Sequence, residues 1–149
     1  MNILIVANGA IKNRNFYKKI IKKANIIIAA DGGADNCIKL GVSPNYIIGD
    51  LDSISNKSKE KFKKLVIHDN NQNTTDLEKA IVLAKKLGCK NLTIIGAIGS
   101  RIDHTLSNII TLFKTKIPSR IIDDSNENFA VEKEIEIKGK KGNIVSIIP

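Results

Sequence analysis

Four short segments hold most of the residues in this chain that are equipped for chemistry. They are Asp31-Gly32-Gly33-Ala34-Asp35, Gly49-Asp50-Leu51-Asp52-Ser53, Asn73-Thr74-Thr75-Asp76 and Gly96-Ala97-Ile98-Gly99-Ser100-Arg101-Ile102-Asp103-His104. Each follows an apolar run or opens a helical pattern. A buried carboxylate must be paired or metal-bound to be tolerated, so acids recurring at the ends of apolar strands point to cation and phosphate chemistry. Asp50 and Asp52 stand two apart at a strand end, where extended backbone would aim both side chains the same way. Carboxylates so placed repel unless a cation lies between them. Mg²⁺ suits such a site, because it is held by one or two carboxylates together with waters and phosphate oxygens.

The other segments each admit two readings. Asp76, beside Thr75 in the first turn of a helix, serves either as a ligand or as compensation of the helix dipole. Asp31 is either a turn aspartate or a ligand contact whose following glycines, Gly32 and Gly33, allow close backbone approach. The run Gly96-x-x-Gly99-Ser100-Arg101 joins a strand to a helix. It offers backbone N–H groups, a helix N-terminus and a guanidinium able to bind phosphate bidentately, with Asp103 and His104 directly after it. His104 and His68 taken singly read more readily as structural, and Asn8-Gly9 is a nucleotide contact or simply a turn. Neither a P-loop nor a GxGxxG dinucleotide fingerprint occurs, and no Ser or Cys nucleophile has an evident His partner.

The elements that must position these residues follow from periodicity. Apolar runs predict strands over Ile3–Ala7, Ile26–Ala30, Tyr46–Gly49, Leu65–His68 and Leu92–Gly96. Helical spacing predicts helices over Asn13–Lys23, Ala34–Leu40 (capped by Gly41), Ser55–Lys64, Thr75–Leu87 and Asp103–Lys114. Thr75 and Glu78 fit a capping box, and Leu106, Ile109, Ile110 and Phe113 are expected to face inward from the last helix. Continuously apolar strands alternating with helices imply an α/β fold: a Rossmann-like parallel sheet with helices on both faces. Right-handed crossovers then bring every strand's C-terminal end, and all four segments, to one edge, where open α/β sheets bind ligands. After Pro118 the helical pattern gives way to strand-like runs at Arg120–Asp123, Asn128–Val131, Glu134–Ile137 and Asn143–Ile148, with a hairpin signal at Lys138-Gly139-Lys140-Lys141-Gly142. The expected division is therefore an α/β domain over 1–122, then connecting strands and the incomplete start of a β-rich unit over 123–149.

Bulk composition narrows the function classes. One domain is expected at 149 residues, and 42% hydrophobic content fits a packed Ile/Leu/Val interior. The net charge of +9 raises nucleic acid as a partner, but the lysines fall on amphipathic helical patterns. With four Phe, two Tyr and no Trp, basic and aromatic residues are not interleaved as single-strand binding requires. Cys37 and Cys89 lack metal or CxxC spacing and read as reduced core thiols of a cytoplasmic protein. The N-terminal run reads as a first strand and not a leader, and no apolar run reaches membrane-spanning length. Neither nucleic acid nor membrane is expected as a partner.

Taken in order, "DGGAD", "GDLDS", "NQNTTDLEKAI" and "GAIGSRIDHTLSN" resemble thiamine pyrophosphokinase over Asp31–Asn108, and "GNIVSIIP" looks like the first strand of that family's β-sandwich domain. The resemblance implies Mg²⁺-dependent transfer of pyrophosphate from ATP to the thiamine hydroxyl, giving thiamine diphosphate and AMP. It places Asp50, Asp52 and Asp76 on Mg²⁺ and the polyphosphate, and Asp31 near the substrate hydroxyl or the metal. Gly32, Gly33, Ser53, Gln72, Asn73, Thr75, Gly99, Arg101, Asp103 and His104 are assigned to the nucleotide side. It further implies a homodimer with thiamine held between the α/β domain of one subunit and the β domain of the other. Most of that β domain is missing from this sequence, so the chain is expected to be a fragment or a shortened form. Two other readings compete: a haloacid-dehalogenase-type phosphatase using Asp50 as nucleophile and Asp52 as acid/base with Asp123-Asp124, and a non-catalytic nucleotide-binding or dimerisation module.

Overall fold

Branched apolar residues dominate the predicted strands, and they line up in the computed structural model, which describes residues 1–99 and 101–148. Its elements are β1 (Asn2–Val6), α1 (Arg14–Ile21), β2 (Ile26–Ala30), α2 (Gly33–Leu40), β3 (Tyr46–Gly49), α3 (Asn56–Lys61), β4 (Val66–His68), α4 (Asp76–Lys86), β5 (Asn91–Ile95), α5 (Ile102–Lys114), β6 (Ser119–Ile122) and β7 (Glu127–Phe129). A 3₁₀ turn over Lys63–Leu65 joins α3 to β4. The strands form one sheet in the order β4-β3-β2-β1-β5-β6-β7. The first six are parallel, and β7 closes the edge antiparallel to β6.

Alternation along each strand divides the core into two layers. Ile3, Ile5, Ile28, Ile48, Ile94 and Ile121 face α4 and α5, meeting Leu77, Ala80, Ile81, Ala84 and Leu112. Leu4, Val6, Ala29, Ile47 and Ile95 face the other helices, meeting Tyr17 of α1 and Ala34, Cys37 and Leu40 of α2. Cys37 is fully buried and its thiol is pushed up to about 12 by desolvation, as befits a core residue.

One connection sets up the site. The chain leaves β4 at one edge of the sheet and re-enters at β5 beside β1, so α4 crosses over β1, β2 and β3 and packs on all three. Its start is fixed by the expected capping box: Thr75 Oγ1 accepts the Glu78 N–H at 3.2 Å, and Glu78 Oε2 accepts the Thr75 N–H at 2.9 Å. Asp76, the first helical residue, is thereby held above the ends of β2 and β3.

Two expectations are corrected. In α5, Ile109 is partly buried, but Leu106, Ile110 and Phe113 are 54%, 52% and 62% exposed, and Thr105, Thr111 and Leu112 are buried instead. Apolar residues surround more than one side of this helix, so periodicity alone did not select the packed side. The threonines can go inward because their hydroxyls are satisfied locally: Thr105 Oγ1 accepts the Gly99 N–H at 3.2 Å, and Thr111 Oγ1 donates to the Ser107 carbonyl at 2.8 Å. Beyond β7, Glu134–Ile137 and Asn143–Ile148 are not strands, and Ile144 and Ile147 are 92% and 87% exposed. A strand needs a partner for its backbone groups, and none pairs with these runs among the described residues. No described helix is long and apolar enough to cross a membrane.

The orientation of α5 is directly testable. Leu112→Ala should lower unfolding stability in urea by about 2–5 kcal/mol, whereas Ile110→Ala should change it by roughly 0.5 kcal/mol or less.

Candidate active site

In a parallel sheet all strands deliver their following residues to one edge, and here Asn8, Asp31, Asp50, Asp69 and Gly96 arrive there together. Asp31 leaves β2 with its N–H bonded to the Ile48 carbonyl at 2.9 Å and then turns left-handed, with φ 42°. Aspartate is among the few non-glycine residues that tolerate this conformation. Gly33 then starts α2 so close to β1 that a Cβ there would lie 1.9 Å from the Val6 carbonyl oxygen. At Gly49 a Cβ would meet Asp31 Cβ at 2.8 Å and Asp76 Oδ1 at 3.1 Å. Glycine at the end of β3 is therefore what leaves room for the acids to converge.

Three do converge. Asp31, Asp50 and Asp76 each bring one carboxylate oxygen to within 4.8 Å of the others. Asp31 is 4% exposed, and its Oδ2 accepts the Ser53 N–H at 3.1 Å while its Oδ1 is buried without a hydrogen-bond partner. Burial pushes the Asp31 pKa up, opposed by the backbone N–H of Gly32 and reinforced by the charge of Asp76. Asp50 is held below the usual carboxylate range, first by the Asp52 N–H on its Oδ1 at 3.4 Å and then by Gln72 Nε2 on its Oδ2 at 3.3 Å. Against Asp76 lies the buried ammonium of Lys79, whose Nζ donates to Asp76 Oδ1 at 3.0 Å and to the Asp69 carbonyl at 2.9 Å. Three convergent carboxylates, one of them with a buried unpartnered oxygen, fit a small hard cation such as Mg²⁺.

Asp50 and Asp52 stay close, with the Asp52 side chain within hydrogen-bonding reach of Asp50, but not as two neighbours on one face of a strand. Leu51 has φ 67°, so the extended geometry stops at Asp50. Asp52 is exposed, accepts a hydrogen bond from Ser53 Oγ at 2.9 Å, and stands outside the group of three, whose remaining position Asp31 takes. Gln72 reaches the cluster through Asp50, while the Asn73 N–H caps Asn71 Oδ1 at 2.9 Å and Thr75 serves its capping box. Gly32 is buried against the Asn8 side chain. On the β5–α5 loop the Gly99 N–H is tied to Thr105, and Arg101 grips Asp103 through both Nε and Nη2. That pair is exposed, its charges raising the Arg101 pKa and lowering that of Asp103 through the shared hydrogen bonds. His104 Nε2 lies 3.9 Å from Asp103 Oδ2. Ser100 lies outside the described residues.

The comparisons with known proteins converge on one family. The model of "Thiamin pyrophosphokinase, catalytic domain" matches residues 17–122. The chain belongs to this family. It is 28% identical to thiamin pyrophosphokinase 1 of Caenorhabditis elegans over 99% of this chain and 68% of that protein. With thiamine pyrophosphokinase of Bacillus subtilis it shares 32% identity over 66% of this chain and 50% of that one. The crystal structure of the Bacillus subtilis thiamine pyrophosphokinase superposes with a TM-score of 0.74 at 29% identity, covering 85% of this chain and 63% of that one. The chain thus spans about half to two thirds of the length of these relatives. Membership in the thiamin pyrophosphokinase family lends no support to the phosphatase and non-catalytic readings, and Asp123 and Asp124 have no place in the acidic group.

Sequence reasoning missed two residues that shape this family's site here. Lys79 sits among helix lysines in the sequence, and only its i+3 spacing from Asp76 hinted at a pair. Asp35, in the first turn of α2, carries no pattern in the sequence that marks a role. Its carboxylate accepts the Ser55 N–H at 3.0 Å and the hydroxyls of Ser55 and Ser58, stitching α2 to the start of α3 and so bracing the Asp50–Ser55 loop. Burial draws the Asp35 pKa upward, but these hydrogen bonds outweigh it and hold the group below the usual range.

The raised pKa of Asp31 gives a prediction with a definite sign. A carboxyl whose folded pKa lies above its unfolded value contributes stability below the unfolded pKa and loses it as pH rises through the folded one. Asp31→Asn, which tolerates the same backbone, should therefore raise the thermal midpoint of the metal-free protein at pH 7, and the gain should disappear in acid. A gain that persists unchanged at acidic pH would show that Asp31 is not ionised at cost in the native state.

Proposed function

We propose that this chain is the catalytic α/β part of a thiamine pyrophosphokinase, transferring pyrophosphate from ATP to the thiamine hydroxyl to give thiamine diphosphate and AMP with Mg²⁺. The observation that carries the reading is the convergence of Asp31, Asp50 and Asp76 within 4.8 Å at the ligand-binding edge of a sheet whose sequence belongs to this family. Asp31, Asp50 and Asp76 would hold the Mg²⁺, which when bound neutralises polyphosphate charge and polarises the phosphorus under attack. The chain's own residues supply the rest. Gln72 fixes the orientation of Asp50, and Ser53 that of Asp31, through the hydrogen bonds described above. Asp31, buried and cation-facing, serves the ion rather than taking the substrate proton. Asp52 remains at the exposed rim, where substrate arrives. Arg101 exchanges Asp103 for a phosphate group, keeping a bidentate partner throughout. Gly32, Gly33, Asn73, Thr75, Gly99, Asp103 and His104 form the nucleotide side of the cleft.

The residues 123–149 are the connecting strands and beginning of a thiamine-binding β domain in this reading, which is why Ile144, Val145, Ile147 and Ile148 expose apolar side chains. A homodimer would complete the thiamine pocket from the partner's β domain. In this reading the protein acts in the cytoplasm without nucleic acid or membrane, the exposed lysines of its helices forming solvated faces.

The test is incubation with ATP, thiamine and Mg²⁺, alongside a version extended beyond Pro149. Thiamine diphosphate and AMP should appear together and stop on chelation with EDTA. Asp50→Asn should reduce turnover about 10²-fold or more, the scale of losing a charge-stabilising group at the reacting centre. Formation of ADP or free phosphate alone, or an Asp50→Asn variant as active as the parent, would overturn the proposal.

A further inference from the structure

The geometry points to Lys79 as a positioning residue that sets one acid of the cluster for cation binding. This inference rests on reading Asp31, Asp50 and Asp76 as a divalent cation site.

The argument begins with where Lys79 lies. Its side chain is 3% exposed, which is unusual for lysine unless the ammonium is fully engaged. The engagement is specific: Nζ bridges Asp76 Oδ1 at 3.0 Å and the main-chain carbonyl of Asp69 at 2.9 Å. Asp69 follows β4 and is itself fixed, its N–H bonded to the Gly49 carbonyl at 3.0 Å. Lys79 therefore ties the first turn of α4 to the ends of β3 and β4. A carboxylate at the first turn of a helix has several rotamers available, and nothing else among the described hydrogen bonds holds the Asp76 side chain. With Oδ1 anchored on Lys79, the Asp76 carboxylate keeps one orientation toward Asp31 and Asp50.

An ammonium beside a cation site has two opposite effects, and their signs differ. As a bare charge it repels the incoming ion, so its removal should tighten cation binding. As a positioning group it orders a ligand, so its removal should weaken binding, by about 10- to 100-fold for outer partners of metal ligands. The single bridging geometry, with both acceptors on fixed backbone elements or a cluster acid, assigns Lys79 the second role.

Mn²⁺ binding to the full chain without nucleotide, followed by electron paramagnetic resonance, separates the cases. Lys79→Met should weaken Mn²⁺ affinity by at least about tenfold. In an Asp76→Asn background the same change should have no further effect, because Lys79 would then have no ligand to place. Wild-type or tighter affinity in Lys79→Met, or losses that add in the double variant, would overturn the inference. Should Lys79→Met fail to fold by circular dichroism, Lys79→Arg keeps the charge but not the single-atom bridge. Weakened Mn²⁺ binding in that variant supports the positioning role, and undiminished binding refutes it. If the parent chain itself binds no Mn²⁺, the cation-site reading falls and the inference with it. If Asp50→Asn abolishes Mn²⁺ binding while Lys79→Met does not, the inference alone fails.

Discussion

Three carboxylates cannot share a space a few ångströms across at neutral pH unless something positive is supplied and something rigid prevents them from turning away. Much of the local structure at this edge of the sheet answers that requirement. Gly49 vacates the volume in which Asp31 and Asp76 meet. The left-handed turn at Asp31 directs its carboxylate into the cluster instead of onward into α2. The capping box fixes where α4 begins, and its crossing over three strands fixes where that beginning lies. Lys79 supplies one positive charge from within, against three carboxylates.

Such an arrangement lowers the stability of the apo protein, and the rest of the fold has to offset it. Asp31 gives up solvation for backbone hydrogen bonds and leaves Oδ1 without a partner. The compensation comes from the two apolar layers, where β1, β2 and β5 are sealed on both faces and residues such as Ile5, Ile28 and Ile94 are wholly buried. The conflict is local: strained backbone and repelling charges occupy the strand ends, while the strands themselves obey simple alternation. Functional sites commonly break the local rules that their scaffolds keep.

That division also explains what could be read from the sequence. The strands through β5, their parallel order and the edge that collects the acids follow from apolar runs separated by helical spacing, and the structure has them where expected. The cluster's membership did not follow. Asp52 looked like a member because alternation assumes that the strand continues; the positive φ of Leu51 ends it one residue early, and Asp52 reaches Asp50 without joining the group of three. Asp31 was ambiguous because no pattern shows that a turn aspartate is 4% exposed. Lys79 was hidden for the opposite reason: on a helix with several lysines, only the path of α4 across the sheet decides which one is buried. In α5 the packed side was misread because threonines whose hydroxyls bond locally go inward as readily as leucines. The strand-like tail failed because a pattern of alternating residues specifies a strand only where another strand accepts it.

The β5–α5 loop shows how the remaining charges can be both satisfied and available. Arg101 and Asp103 form a two-pronged pair, yet both side chains are more than half exposed. An exposed ion pair contributes little net stability, because water competes for each partner. Under the proposed function, exchange of the Asp103 carboxylate for a phosphate would keep the guanidinium's planar fork engaged while costing the fold almost nothing. Burying Arg101 as deeply as Lys79 would have fixed it permanently. The two ion pairs sit at one sheet edge and differ mainly in burial: the buried one suits holding a ligand in place, and the exposed one suits giving a ligand up.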